Sequence, residues 1–195
     1  MKNTYMFYEG VVSPEICESI IKRFDKEQFS SGQVGYGGQG GRVDTNIRDT
    51  AIQWAPKNDL VECILTRFIM QANQEALWNF DITEPEQVQI GRYKENQFYK
   101  QHIDCYIKGG DIIATGNGGG IVIPMLSQRK ISASLLLNNE SEYEGGDLIV
   151  LDETVPTKKQ GTIIVFPSFM AHHVTPVTRG VRYSAVCWMA GPKWK

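Results

Sequence analysis

Residues 162–189 read TIIVFPSFMAHHVTPVTRGVRYSAVCWM. β-Branched and aromatic residues alternate there with polar or small ones, and Pro167, Pro176 and Gly180 cut the alternation into short runs. A period of two puts apolar side chains on one face of a pleated strand, so TIIVFP, AHHVTPV and VRYSAVCWM are expected strands. The pattern extends back to Glu86 through QVQIGRY, FYKQHIDCYI, GIVIPM, ISASLLL and GDLIVLD, about eight strands in all.

Before Glu86 the period lengthens. In SPEICESIIKRF (13–24), Ser13 is placed as an N-cap and Pro14 at the first helical position, with Ile16, Ile20, Ile21 and Phe24 along one face. From about Asn58 to Asn79, Val61, Ile64, Leu65, Phe68, Ala72 and Ala76 recur at three- and four-residue intervals, which predicts a second helix bracing a sheet. Helices first and short strands after, without βα alternation, predict a mainly β (α+β) chain. Its expected core is a double-stranded β-helix, or jelly roll, over 86–190, with helical N-terminal support over 1–85 packed on one sheet. A length of 195 residues fits one domain, 1–195. The glycine-rich stretches 31–41 and 109–120 are expected to be loops, either plain connections or lids over a site.

Composition removes several function classes. Twenty basic and 22 acidic residues give a net charge of −2 with no basic block, so neither nucleic acid nor an anionic membrane is an expected partner. Cys17, Cys63, Cys105 and Cys187 are scattered singly and read as reduced thiols rather than a disulfide framework or thiolate zinc site. Without an apolar leader or a long apolar run, the chain is expected to be cytoplasmic.

Only three histidines occur, His102, His172 and His173. His102 and Asp104 are two apart on an expected strand and would share a face, where a metal could join them. One more imidazole, from His172 or His173, would complete the 2-His-1-carboxylate set that holds non-haem Fe(II) and leaves positions open. A 2-oxo acid would fill those positions through its keto oxygen and C1 carboxylate, and its far carboxylate would need a cation. Arg182 suits that role because a guanidinium forks onto a carboxylate, and Ser184, two residues on, can add a hydroxyl donor. A turn centred near Val177 would set residues 172 and 182 opposite each other on paired strands.

At these residues the chain resembles the prolyl 4-hydroxylase-like branch of the Fe(II)/2-oxoglutarate-dependent dioxygenases. YKENQFYKQHID resembles the family's Y-x-x-G-x-x-Y-x-x-H-x-D segment, with Asn96 where glycine is frequent. YEGGDLIV and KKQGTIIVFPS resemble the hairpin and strand before the distal histidine, and HHVTPVTRGVR resembles the H-x-V-x-P…G-x-R segment. The resemblance selects His172 over His173 and Arg182 over Arg179. It implies a catalytic set of His102, Asp104, His172 and Arg182, with the first three as metal ligands. It further implies 2-oxoglutarate contacts from Arg182, Tyr93, Ser184 and Tyr99, and a place near the substrate for Arg48. Fe(2+), 2-oxoglutarate as cosubstrate and ascorbate as reductant follow as implied cofactors, with O2 as the oxidant.

The implied reaction hydroxylates an unactivated C–H and releases succinate and CO2. A prolyl residue in a peptide or protein is the first implied substrate; a free amino acid or small molecule is the second. Some relatives place a tyrosine hydroxyl on the 2-oxoglutarate carboxylate from the strand that here reads SLLLN, so Tyr93 and Ser184 would carry more of the anchoring. Arg179 and Arg182 are three apart, whereas repair enzymes of the superfamily space two arginines by six, which disfavours base demethylation. The presence of Asp104 favours hydroxylation over halogenation. The reading from another class is a non-catalytic jelly-roll module, a binding or virion-type structural domain, in which the same strands only bury a core.

Overall fold

A computed structural model describes residues 4–36, 39–108, 111–114, 127–192 and 194. The expected strand GIVIPM and most of the 109–120 stretch lie outside the described residues, as do residues 37 and 38 of the 31–41 stretch. The two helices are α1, Pro14–Phe24, and α2, Leu60–Glu75. Ser13 is extended before α1 and Pro14 opens it, where a missing N–H costs nothing. Asp59 caps α2 by accepting from the Val61 N–H at 3.1 Å. The helix stops short of Asn79 because Leu77 and Asn79 take φ of 56° and 51°.

Two antiparallel sheets make the body. The major sheet runs Met6–Tyr8, Ile163–Pro167, Ser127–Leu136, Arg182–Pro192, Gln89–Tyr93, Ala51–Trp54, Ser30–Ser31, with Glu84–Pro85 also paired to Arg182–Pro192. The minor sheet runs Glu153–Thr154, Leu148–Val150, His172–Val174, Phe98–His102, Arg48–Asp49. Alternation sorts the major sheet's side chains between two cores. Ala133, Leu135, Ile163, Val165, Ala185 and Cys187 pack with Leu65, Ile69 and the other buried faces of the helices. Leu136, Ile164 and Phe166 face the other way, onto Leu148, Val150 and Val174 of the minor sheet. This is the expected jelly-roll sandwich with helices on one sheet, and its functional pocket opens on the inter-sheet side.

Three expectations need correction. Residues 1–85 are not helical support alone: Met6–Tyr8, Ser30–Ser31, Arg48–Asp49, Ala51–Trp54 and Glu84–Pro85 complete both sheets. Strands of two to four residues are too short to show a period. Residues 172 and 182 are not cross-strand partners. His172 pairs with Val150 and His102 in the minor sheet, whereas Arg182 pairs with Tyr93 in the major sheet. Between them Val177–Gly180 pairs with Tyr143–Gly145, so the chain changes sheets there instead of folding back on itself. Finally, FYKQHIDCYI is not one strand; it breaks at Ile103 and Asp104 into Phe98–His102 and Cys105–Lys108. Among the described residues no helix is long and apolar enough to cross a membrane.

Candidate metal centre

His102 and His172 face each other across the minor sheet, their ring centroids 4.2 Å apart. Asp104 reaches them from the break after His102, not by strand alternation, because its backbone N–H donates to Ser168 O at 2.9 Å. Its Oδ1 lies 3.6 Å from His102 Nε2 and its Oδ2 3.5 Å from His172 Nε2. One ligand atom from each of the three residues fits within a 4.8 Å cluster.

Second contacts orient these donors. His102 Nδ1 is 2.8 Å from Lys100 O, and His172 Nδ1 is 2.9 Å from Met170 O. A carbonyl only accepts, so each Nδ1 carries the hydrogen and each Nε2 turns its lone pair toward Asp104. Burial, then the neighbouring His172, lowers the His102 pKa to about 3 against the pull of Asp104. Burial raises that of Asp104, but His172, His102, Arg129 and the Ser132 hydrogen bond together outweigh it and hold the carboxyl at about 2. At neutral pH His102 is therefore neutral and Asp104 ionised, the forms that bind a divalent cation. Two imidazole nitrogens and one carboxylate oxygen converging from one side fit Fe(II) with open positions.

Across the pocket, on the major sheet, lies Arg182, only 1% exposed. Its Nη1 donates to Ser184 Oγ at 3.1 Å, its guanidinium carbon lies 5.3 Å from the Tyr93 ring centroid, and its Nε is buried without a partner. No carboxylate pairs with it among the described residues. A guanidinium so buried is costly unless a carboxylate arrives, so this end of the pocket fits the tail of a dicarboxylate. Leu136, in the SLLLN stretch, lies opposite Ser184 and brings no hydroxyl.

Tyr93 and Ser184 are thus at the Arg182 end. Tyr99 is at the metal end, stacked on His102 with centroids 3.6 Å apart and covered by Arg48 at 4.6 Å. Arg48 lines the pocket, 6% exposed, and donates to Gln89 Oε1 at 2.5 Å and Gln33 O at 3.2 Å. His173 pairs with Ile149, half-buried and off the pocket, and Arg179 is an exposed partner of Glu144 at 2.9 Å. Sequence reasoning missed Arg129, which lines the pocket, grips Glu86 through bonds of 2.6 and 2.5 Å and lies 3.9 Å over the Trp188 ring. It also missed Ser132 and Ser168 beneath Asp104. Arg129 stands beside Lys130 in the polar stretch SQRK, ahead of the strand read as ISASLLL, and so carried no signal; two serines among many carry none either.

The family model described as the 2OG-Fe(II) oxygenase superfamily matches residues 88–190, which include every one of these metal-site and Arg182-end residues. A curated relative, the PKHD-type hydroxylase YbiX of Escherichia coli O1:K1 / APEC, is 29% identical over 189 residues, covering 92% of this chain and 75% of its own. Among solved structures, the viral collagen prolyl hydroxylase of Paramecium Bursaria Chlorella virus-1, in its 2OG complex, superposes with a TM-score of 0.68 at 20% identity, covering 97% of both chains. A Pseudomonas putida prolyl-4-hydroxylase gives 0.66 at 19%, covering 96% of this chain and 92% of its own. A Trichoplax adhaerens prolyl hydroxylase, in complex with a hypoxia inducible factor peptide fragment, gives 0.63 at 16%, covering 96% and 84%. The chain belongs to the 2OG-Fe(II) oxygenase superfamily and is a dioxygenase that uses Fe(II) and 2-oxoglutarate.

Proposed function

We propose that residues 1–195 form one dioxygenase domain that hydroxylates a prolyl residue in a peptide or protein, with His102, Asp104 and His172 as the iron ligands and Arg182 as the 2-oxoglutarate anchor. The observation that carries the site assignment is a three-residue donor set and a buried guanidinium that has no acid partner among the described residues, facing one pocket from opposite sheets. The prolyl substrate is supported by the relatives: the three solved neighbours described above are prolyl hydroxylases, and one of them holds a peptide.

Bound to the three side chains, Fe(II) supplies the redox chemistry that activates O2. The protein's own residues do the rest. Arg182 and the Ser184 hydroxyl orient the far carboxylate of 2-oxoglutarate, with the Tyr93 ring as a wall. Lys100 O and Met170 O keep both imidazoles in the tautomer that offers Nε2. Gln89 and Tyr93 lie four residues apart on one strand, so the Arg48–Gln89 end sits ~13 Å along the sheet from Arg182, on the strand rise alone. That leaves the Arg48 and Trp188 end for the prime substrate, with Tyr99 between Arg48 and the ligand His102 and on the substrate side instead of among the expected 2-oxoglutarate contacts. One atom of O2 enters succinate as CO2 leaves, and the other enters the new hydroxyl.

The test is incubation with Fe(II), 2-oxoglutarate, ascorbate as reductant and a panel of proline-containing peptides. The expected result is succinate matched by a one-oxygen mass gain on proline, both lost in His172→Ala. Succinate without peptide oxidation, whatever peptide is offered, would remove the prolyl assignment and leave the dioxygenase.

A further inference from the structure

The Asp104 carboxylate does not stand alone on its side of the site. Ser132 Oγ lies 2.6 Å from Asp104 Oδ2, and Ser168 Oγ lies 2.9 Å from Ser132 Oγ. Both serines are 0% exposed. An ionised carboxylate only accepts, so Ser132 must spend its one hydrogen on Asp104, and the Ser168 hydroxyl must then be the donor to Ser132. The direction of the chain is fixed: Ser168 to Ser132 to Asp104. Ser168 grips the aspartate a second time, since its carbonyl receives the Asp104 N–H at 2.9 Å. Its own N–H donates to Lys130 O at 2.9 Å, at the register shift between Arg129 and Ile131 of Ser127–Leu136.

We propose that Ser132 and Ser168 form a hydroxyl relay that positions Asp104 as a one-oxygen metal ligand. This rests on the metal-ligand assignment proposed above. With a lone pair of Oδ2 engaged by the Ser132 hydroxyl of Ser127–Leu136, rotation of the carboxylate to offer both oxygens to a bound ion would be opposed, which would leave room for cosubstrate. The relay also joins the major sheet, through Ser132, to a ligand set whose two histidines sit on the minor sheet. Ser132 and Ser168 touch neither metal nor substrate in this arrangement; they act through Asp104 and are positioning residues.

Anaerobic titration with Co(II) alone, without 2-oxoglutarate, reads this directly by calorimetry and visible absorption. Loss of an outer hydrogen-bond partner of a metal ligand costs about 10–100-fold in affinity. Ser132→Ala is expected to weaken Co(II) binding by that factor and to change the visible band as Asp104 turns toward two-oxygen coordination. Ser132→Thr, which keeps the hydroxyl, is expected to restore both, and Ser168→Ala to fall between. Circular dichroism melts establish which variants fold, and if Ser132→Ala does not, Ser168→Ala decides. A folded serine-to-alanine variant with wild-type affinity and spectrum overturns the relay. His172→Ala separates the two assignments: if it too binds Co(II) like wild type, the metal-ligand set has failed, and the relay with it.

Discussion

Arg182 is 1% exposed, its Nε lacks a partner and no carboxylate pairs with it among the described residues, so the free protein carries a desolvated charge that a ligand carboxylate would neutralise. Arg182→Met keeps much of the volume and removes that cost. It is expected to stabilise the ligand-free protein by ~1–4 kcal/mol, by analogy with buried charges replaced by apolar residues. The same change removes charge-assisted hydrogen bonds worth ~1.5–3 kcal/mol to the cosubstrate, so 2-oxoglutarate affinity should fall more than ~10-fold. Thermal melts with and without 2-oxoglutarate check both, and a ligand-free melt lower than wild type would show a structural partner for Arg182. His102 and Asp104 set the acid limb. The His102 pKa, about 3 in the fold, lies below its ordinary 6.5, so the unfolded chain binds the extra proton and stability falls as pH drops below about 6.5. The stabilisation from Asp104, about 2 against an ordinary 3.8, is present above the higher value and is lost as pH falls toward the lower. Urea midpoints between pH 7.5 and 4.5 should therefore slope downward for the metal-free wild type and flatten in His102→Asn.

At the scale of elements, Gly180 decides where Arg182 points. It has φ +78°, and an added Cβ would lie 2.1 Å from Glu142 O, where Tyr143–Gly145 pairs with Val177–Gly180. A left-handed backbone alone costs a side chain ~1–2 kcal/mol, and the clash adds to it. Gly180→Ala is expected to lower stability by at least ~2 kcal/mol and to raise the KM for 2-oxoglutarate, while Thr178→Ala, exposed on the same strand, should do neither; chemical denaturation and steady-state kinetics check the pair. The sequence shows the alternation of the long Arg182–Pro192 strand plainly: Arg182, Ser184 and Trp188 face the pocket while Tyr183, Ala185 and Cys187 face the helices. What it hides are single-residue irregularities. The register shift at Lys130 inverts the parity of its strand and brings Arg129 into the pocket beside even-numbered Ser134. The break at Ile103 likewise removes Asp104 from the strand without undoing its meeting with His102. Which strands become neighbours is equally hidden, because pairing of His172 with His102 depends on sequence far from either, and that is why the 172–182 hairpin failed as an expectation.

Across the whole molecule the two cores are not equal. The major sheet is held on one side by both helices, with Leu65 and Ile69 at 0% exposure, and shares its other face with the shorter strands of the minor sheet. The minor sheet has no helix behind it among the described residues, so its amides are expected to open sub-globally before those of Arg182–Pro192. The site spans that boundary. His102 and His172 belong to the minor sheet and Arg182 to the major, and a divalent ion alone reaches the major sheet only through Asp104 and its hydrogen bond to Ser132. Cosubstrate added to the ion connects that metal end to Arg182 and so adds a second, direct tie across the sandwich. Hydrogen exchange should then show modest extra protection of Phe98–His102 and His172–Val174 with Mn(II) alone. With Mn(II) and 2-oxoglutarate together the protection should exceed the sum of the separate effects, by mass action on the closed form. Arg182→Met should keep the metal effect and lose the excess. Equal protection of both sheets in the ligand-free protein, unchanged by either ligand, would mean that the sheets open as one unit and that the site does not bridge them.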